Sequence, residues 1–213
     1  RAIAFSLGVT TSGIPWSWAA GKDKPGVNLL PDLSERTVCY IQQQVERVKR
    51  LGDVVIVSIH WGGNWGYEIP SQQIKFAHQL IDRAGVDLIH GHSSHHVKGI
   101  EVYRDRPIFY GCGDFIDDYE GISGHETFRD DLGLMYFVTL DSDTGKLVNL
   151  QMIPTQIKRF RVQRASTVDL LWLRELLNRE GKRFGTQVRW DGNKTLILEK
   201  LDPIPSSRDI SAI

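Results

Sequence analysis

The sequence predicts an α/β protein, with a parallel βαβαβ half followed by antiparallel strands. Three observations lead there. Residues 54–59, Val-Val-Ile-Val-Ser-Ile, form the short, mostly β-branched apolar run that a strand covered on both faces requires. On either side of it, apolar residues recur at three- and four-residue steps, the helical period. Beyond residue 96 that period gives way to strand-like runs separated by tight turns.

The elements follow in order. Residues 1–8 alternate as a strand, and a polar loop rich in Gly and Pro carries the chain to residue 33. A helix spans about 34–51, with Val38, Ile41, Val45 and Val48 as one apolar stripe, and Gly52-Asp53 breaks it. After the central strand, Pro70-Ser71 starts a second helix whose face is Ile74, Ala77, Ile81 and Ala84, ended by Gly85. Val86-Asp87-Leu88-Ile89 is the next strand, and strand–helix alternation at this spacing calls for parallel βαβ units. Strands are then expected near 97–103, 106–112, 134–141, 146–153 and 156–163, one pair joined by Asp143-Thr144-Gly145. A last helix starts at Ser166, whose spacing to Asp169 is that of a capping box, and carries Leu170, Leu173, Leu176 and Leu177. Two short strands near 186–190 and 195–200 precede a loose tail.

Composition narrows the class of protein. A chain of 213 residues, 41% hydrophobic and 24% charged, is long enough for one domain with a real core and excludes wholesale disorder. Its 26 basic and 26 acidic residues cancel, so no general attraction for nucleic acid is expected, and no apolar run is long enough for a transmembrane helix. Cys39 and Cys112 are too few for a disulfide scaffold and read as small apolar residues. The chain opens at Arg1 inside an apolar alternation, which reads as part of a longer one.

The chemistry concentrates in two places. Four of seven histidines lie in His90-Gly91-His92-Ser93-Ser94-His95-His96, and a fifth, His60, ends the central strand ahead of Trp61-Gly62-Gly63-Asn64-Trp65. Both stretches follow the carboxyl ends of neighbouring parallel strands, the edge where open α/β sheets bind ligands. Imidazole is a common nitrogen ligand of Zn, Mn and Fe, so a metal or acid–base site is expected, with His92 and His95 as ligands. His90 and His96 then pack or support, His78 is structural, and His125 is open to either role. Asp114 ends a strand in Gly111-Cys112-Gly113-Asp114, where it either serves the site or bonds its own turn; Glu101 and Glu68 are weaker candidates. The basic run at 158–164 either contacts an anionic ligand or is a solvated edge strand, and Trp16, Trp18, Trp61 and Trp65 either stack on substrate or cap a core.

An ordered set of motifs carries a resemblance over roughly residues 1–160. His60-Trp61-Gly62, Gly85-Val86-Asp87-Leu88-Ile89 leading into Gly91-His92-x-x-His95, Gly99-Ile100-Glu101-Val102-Tyr103 and Tyr110-Gly111-Cys112-Gly113-Asp114-Phe115 are similar to those of the bacterial capsule-synthesis CapA family. That family is also described as poly-γ-glutamate synthesis proteins with a calcineurin-like metallophosphatase fold. The resemblance implies a partial four-layer fold over residues 1–200, a tail at 201–213, and a metal-dependent phosphoesterase-like hydrolase. It makes His60, His92 and His95 ligands of divalent Zn, Mn or Fe, and gives Asp114 a catalytic or supporting place where many members have Asn. It also implies an anionic ester or polymer as substrate and capsule-synthesis proteins as partners.

Two departures stand out. Ser93-Ser94 replaces the more usual His-Pro pair. The early Asp-x-His and Asn-His elements of metallophosphatases are missing, and two neighbouring cations without a bridging carboxylate would repel, so an incomplete metal site is expected of this chain. The alternative is a non-catalytic capsule-assembly component that binds an anionic polymer or a protein through the basic run, or a structural zinc site.

Overall fold

The structure, a computed structural model, describes residues 1–117 and 121–201. The loose tail expected from residue 203 onward lies outside the described residues, as do Asp118, Tyr119 and Glu120. The first strand, β1 (Ala2–Val9), pairs in parallel with a two-residue strand, β2 (Leu29–Leu30), inside the segment expected to be loop throughout. Helix α1 (Glu35–Val48) begins where the Ser34 hydroxyl accepts the amide of Thr37, and buries Val38, Ile41 and Val45. Strand β3 (Val54–His60) lies beside β1, and α2 (Ser71–Ala84) ends at Gly85 in the left-handed conformation.

Strand β4 (Leu88–His92) runs parallel to β3, starting and ending later than the apolar pattern predicts. Then come β5 (Ile100–Tyr103) and β6 (Arg106–Phe109). The order in this sheet is β2-β1-β3-β4-β6-β5; β6 adds in parallel beside β4, so only β5 is antiparallel. A second, antiparallel sheet contains β7 (Leu132–Leu140) and β8 (Leu147–Ile157), flanked by β9 (Val162–Arg164). Helix α3 (Thr167–Gly181) follows, and β10 (Thr186–Trp190) and β11 (Leu196–Lys200) complete the sheet. The mixed α/β class, parallel half first, is as the sequence predicts.

One strand expectation is corrected. Residues 156–163 are not a strand of their own: β8 runs through Ile157, the chain turns at 158–161, and only Val162–Arg164 returns. Lys158 and Arg161 exchange backbone hydrogen bonds of 2.9 and 3.3 Å, and Arg159 and Phe160 take φ of 56° and 55°. This two-residue turn normally signals itself by Asn-Gly or Asp-Gly, and holding two bulky residues there costs about 1–2 kcal/mol each.

Two cores hold the layers together. Val55, Val57 and Ile59 of β3, all 0% exposed, face Val38 and Ile41 of α1 and Phe76 and Leu80 of α2. Each such side chain contributes about 1.5–3 kcal/mol on burial. The second core joins Leu88, Ile100 and Phe109 to Leu134, Leu150 and Met152 of the second sheet, with Leu170, Leu173 and Leu177 of α3. The first sheet therefore has helices on one face and the second sheet on part of the other. The Ser166 hydroxyl caps α3 by accepting the Asp169 amide and donating to its carboxylate, as the capping-box spacing predicts.

Candidate functional site

Strand register builds the site. Ser58 lies opposite His90 and His60 opposite His92, while Ile59 and Gly91 pair between them. Alternate residues share a face, so Ser58, His60, His90 and His92 form a two-by-two polar array on the face away from α1 and α2. His60 Nδ1 and His92 Nδ1 are 3.0 Å apart. The Ser58 hydroxyl lies 3.0 Å from His90 Nδ1 and 3.3 Å from His92 Nε2. Gly91, on the opposite face, has no room for a side chain: a Cβ would meet the Trp61 indole nitrogen and the Phe109 carbonyl at 2.5 Å. Trp61 itself is buried and donates to the Tyr110 carbonyl at 3.1 Å, locking the two strand ends together.

A cleft of about 410 Å³ opens over this array, lined by His60, His92, His95, Asp114 and Asp117. At its base Ser93 takes φ of 121°, a conformation side chains rarely adopt. Its hydroxyl donates to the Gly62 carbonyl at 3.0 Å and thereby ties the β3 loop to the β4 loop. His95 Nδ1 is 3.0 Å from one Asp114 carboxylate oxygen and 3.2 Å from the other, and His95 Nε2 is 3.3 Å from the Asn64 amide nitrogen. Trp65 stands beside His95, with ring centres 5.3 Å apart, and stacks on His125 at 3.9 Å. An adjoining apolar pocket of about 470 Å³ shares His92 and Gly113 with the cleft and is walled by Ile56, Leu88 and Leu134.

Burial favours the neutral form of His60, His90 and His92. It lowers His92 to about 4, helped by repulsion from His60 and His90, and lowers His90 and His60 as well, His60 with a contribution from His95. Neutral imidazole nitrogens are the form that ligates metals. The structure thus gathers His60, His92, His95 and Asp114 in one cleft, His60 and His92 in direct contact and His95 directed at Asp114 and Asn64. Among the described residues no three His, Cys, Asp or Glu side chains are grouped to hold a metal ion. Two nitrogens 3.0 Å apart match neighbouring ligands on one ion with bonds of about 2.0–2.1 Å, so the donor set fits a metal in part.

The other candidates settle elsewhere. His96 is fully buried among Trp65, Tyr67 and Phe128, and burial lowers it to about 4. His78 bonds Glu101 at 2.8 Å, and Glu101 accepts from the Tyr110 hydroxyl at 2.6 Å, so both serve the fold. Glu68 is exposed and lies outside the cleft. Burial pushes the Cys112 thiol up to about 12, which makes it inert at neutral pH. Trp16 and Trp18 remain exposed. Sequence reasoning missed Ser58 and Asp117. Ser58, the one polar residue of its apolar run, sits two before His60 and so on the same face; Asp117 carries no such signal.

Fold and site together define a mixed α/β protein with a histidine-lined cleft at its strand ends. The chain belongs to the family described as bacterial capsule synthesis protein PGA_cap, whose model matches residues 2–119. It is 51% identical over 189 residues to a probable polyglutamine synthesis accessory protein of Mycobacterium tuberculosis, covering 88% of this chain and 50% of that protein. It is 37% identical over 101 residues to the PGA biosynthesis protein CapA of Bacillus subtilis, covering 47% of this chain and 25% of that one. With the capsule biosynthesis protein CapA of Bacillus anthracis it shares 28% identity over 155 residues, 70% of this chain and 35% of the other. The chain spans at most half the length of these curated relatives.

Proposed function

We propose that this protein works in the synthesis of a poly-glutamate capsule polymer, with capsule-synthesis proteins as partners, and that its cleft is part of a metal-dependent, phosphoesterase-like hydrolytic site. The family and the names of its relatives support the first half of the reading. The second half is carried by one observation: two neutral imidazoles meet at 3.0 Å where two parallel strands end. His60 and His92 would hold a divalent Zn, Mn or Fe ion, with further ligands supplied from beyond the described residues. Such an ion, when bound, polarises a phosphoryl oxygen and activates a water.

The remaining residues prepare the cleft. Asp114 accepts Nδ1–H of His95 and so fixes its tautomer, leaving Nε2 as the atom that takes or gives a proton to an ester bound in the cleft. Asn64 holds that nitrogen in place, and Ser58 fixes the rings of His90 and His92. Trp65 shields His95 from water on one side.

The test is metal content and nitrophenyl phosphate hydrolysis, measured on this chain and on a form extended at its amino end. The extended form should bind metal and hydrolyse the ester, and His92→Ala should lower both at least tenfold. A metal-free extended form, or a His92→Ala form with unchanged turnover, would sink the reading.

A further inference from the structure

Residues 158–164 are exposed without interruption, carry four basic side chains and no acidic one, and include Phe160 at 71% exposure and Val162 at 36%. Arg1, Lys49, Arg106, Arg129 and Lys200 all reach carboxylates, yet among the described residues none lies within ion-pair range of Lys158, Arg161 or Arg164. The turn holds Arg159 and Phe160 in the left-handed conformation at its apex, so an aromatic ring projects where solvent is its poorest partner. Lys158, Arg159, Arg161 and Gln163 wall an open pocket of about 510 Å³, ample room for a phosphorylated headgroup.

We propose that the β8–β9 hairpin docks on an anionic lipid surface, Phe160 entering the headgroup–acyl boundary while Lys158, Arg161 and Arg164 meet lipid phosphates. The exposed apolar tip favours this over a soluble polycarboxylate, which could pair with the cations and would offer nothing to the ring. An aromatic side chain flanked by cations is the composition of interfacial anchors. The hairpin also leads from the site: Thr155, opposite Arg164, lies against Gly133, where a Cβ would overlap the Asp114 carbonyl. Lys158 is three residues beyond Thr155, roughly 10 Å at strand rise. Docking there would hold the cleft close to the lipid surface.

Co-sedimentation with vesicles of phosphatidylcholine, with and without phosphatidylglycerol, tests the proposal without any activity readout. The chain should bind the anionic vesicles, and less so at high salt. Neutralising Lys158 and Arg161 to Gln should weaken binding about fivefold per cation, the fold-change equivalent to about 1 kcal/mol each. Phe160→Ser should weaken it about tenfold, the partition of one large apolar side chain. Both variants alter only exposed side chains, and unchanged circular dichroism checks their fold. Failure of the chain to sediment with anionic vesicles would overturn the proposal. So would binding indifferent to Phe160→Ser, or hairpin-dependent capture of soluble polyglutamate in place of vesicles. None of these outcomes bears on the hydrolytic reading, which metal content and ester hydrolysis decide separately.

Discussion

The two faces of the six-stranded sheet are built from the same strands and serve opposite ends. On β3, Val55, Val57 and Ile59 are wholly buried under α1 and α2, while Ile56, Ser58 and His60, one step out of phase, are only partly covered. On β1 the residues sharing that second face, Ala2, Ala4 and Ser6, are small and exposed. One face is apolar and stabilises; the other is thinly covered near its carboxyl edge and carries Ser58, His60, His90 and His92. A period of two is enough to separate stability from chemistry within a single strand.

Substitutions should tell the faces apart. The largest effect belongs to the helix-covered side: Phe76→Ala should cost about 4 kcal/mol, read from urea denaturation. A loss below about 1 kcal/mol would mean that this face is not the main source of stability.

Acid should come next. The folded chain holds His92 and His96 near 4, while the unfolded chain protonates them near their ordinary value. Their neutral state is therefore accommodated in full above the unfolded value, and stability falls with pH as the unfolded state takes up protons. For His96 alone the loss between pH about 6.5 and 4 is roughly 3 kcal/mol. His96→Phe, an aromatic ring among aromatic neighbours, should flatten that slope in denaturation curves collected across the range. A slope identical to that of the parent would assign the acid sensitivity elsewhere.

The smallest effect should fall on the open side. Ser58→Ala removes a hydroxyl shared by two histidines that water can partly replace, so stability should drop by about 1 kcal/mol or less. The imidazole nitrogen shifts of His90 and His92 in NMR spectra should nevertheless move. A large loss of stability with unmoved histidine resonances would erase the distinction between the faces.

Much of the architecture was legible because it rests on periodicity. The α1 stripe and the β-branched run of β3 announce a helix and a buried strand by spacing alone, and His60 marks the end of that strand. What was not legible depends on tertiary contacts. His-Gly-His has little strand propensity, so β4 was expected to stop at Ile89; it continues because Gly91 lets the strand pass beneath Trp61 and beside Phe109. That extension, invisible locally, is what puts His90 and His92 on the face of Ser58 and His60. The β8–β9 turn was missed for the reverse reason, since Arg159-Phe160 holds a conformation usually signalled by Asn or Gly.

The line from His60 through His92 and Ser58 to His90 has a property that no single contact shows. Each neutral imidazole carries one N–H, so a donor at one link forces an acceptor at the next. When the Ser58 proton lies in this line, giving it to His92 leaves His90 to donate to Ser58 and His92 to donate to His60, and giving it to His90 runs every bond the other way. The four groups thus share one direction and reverse together.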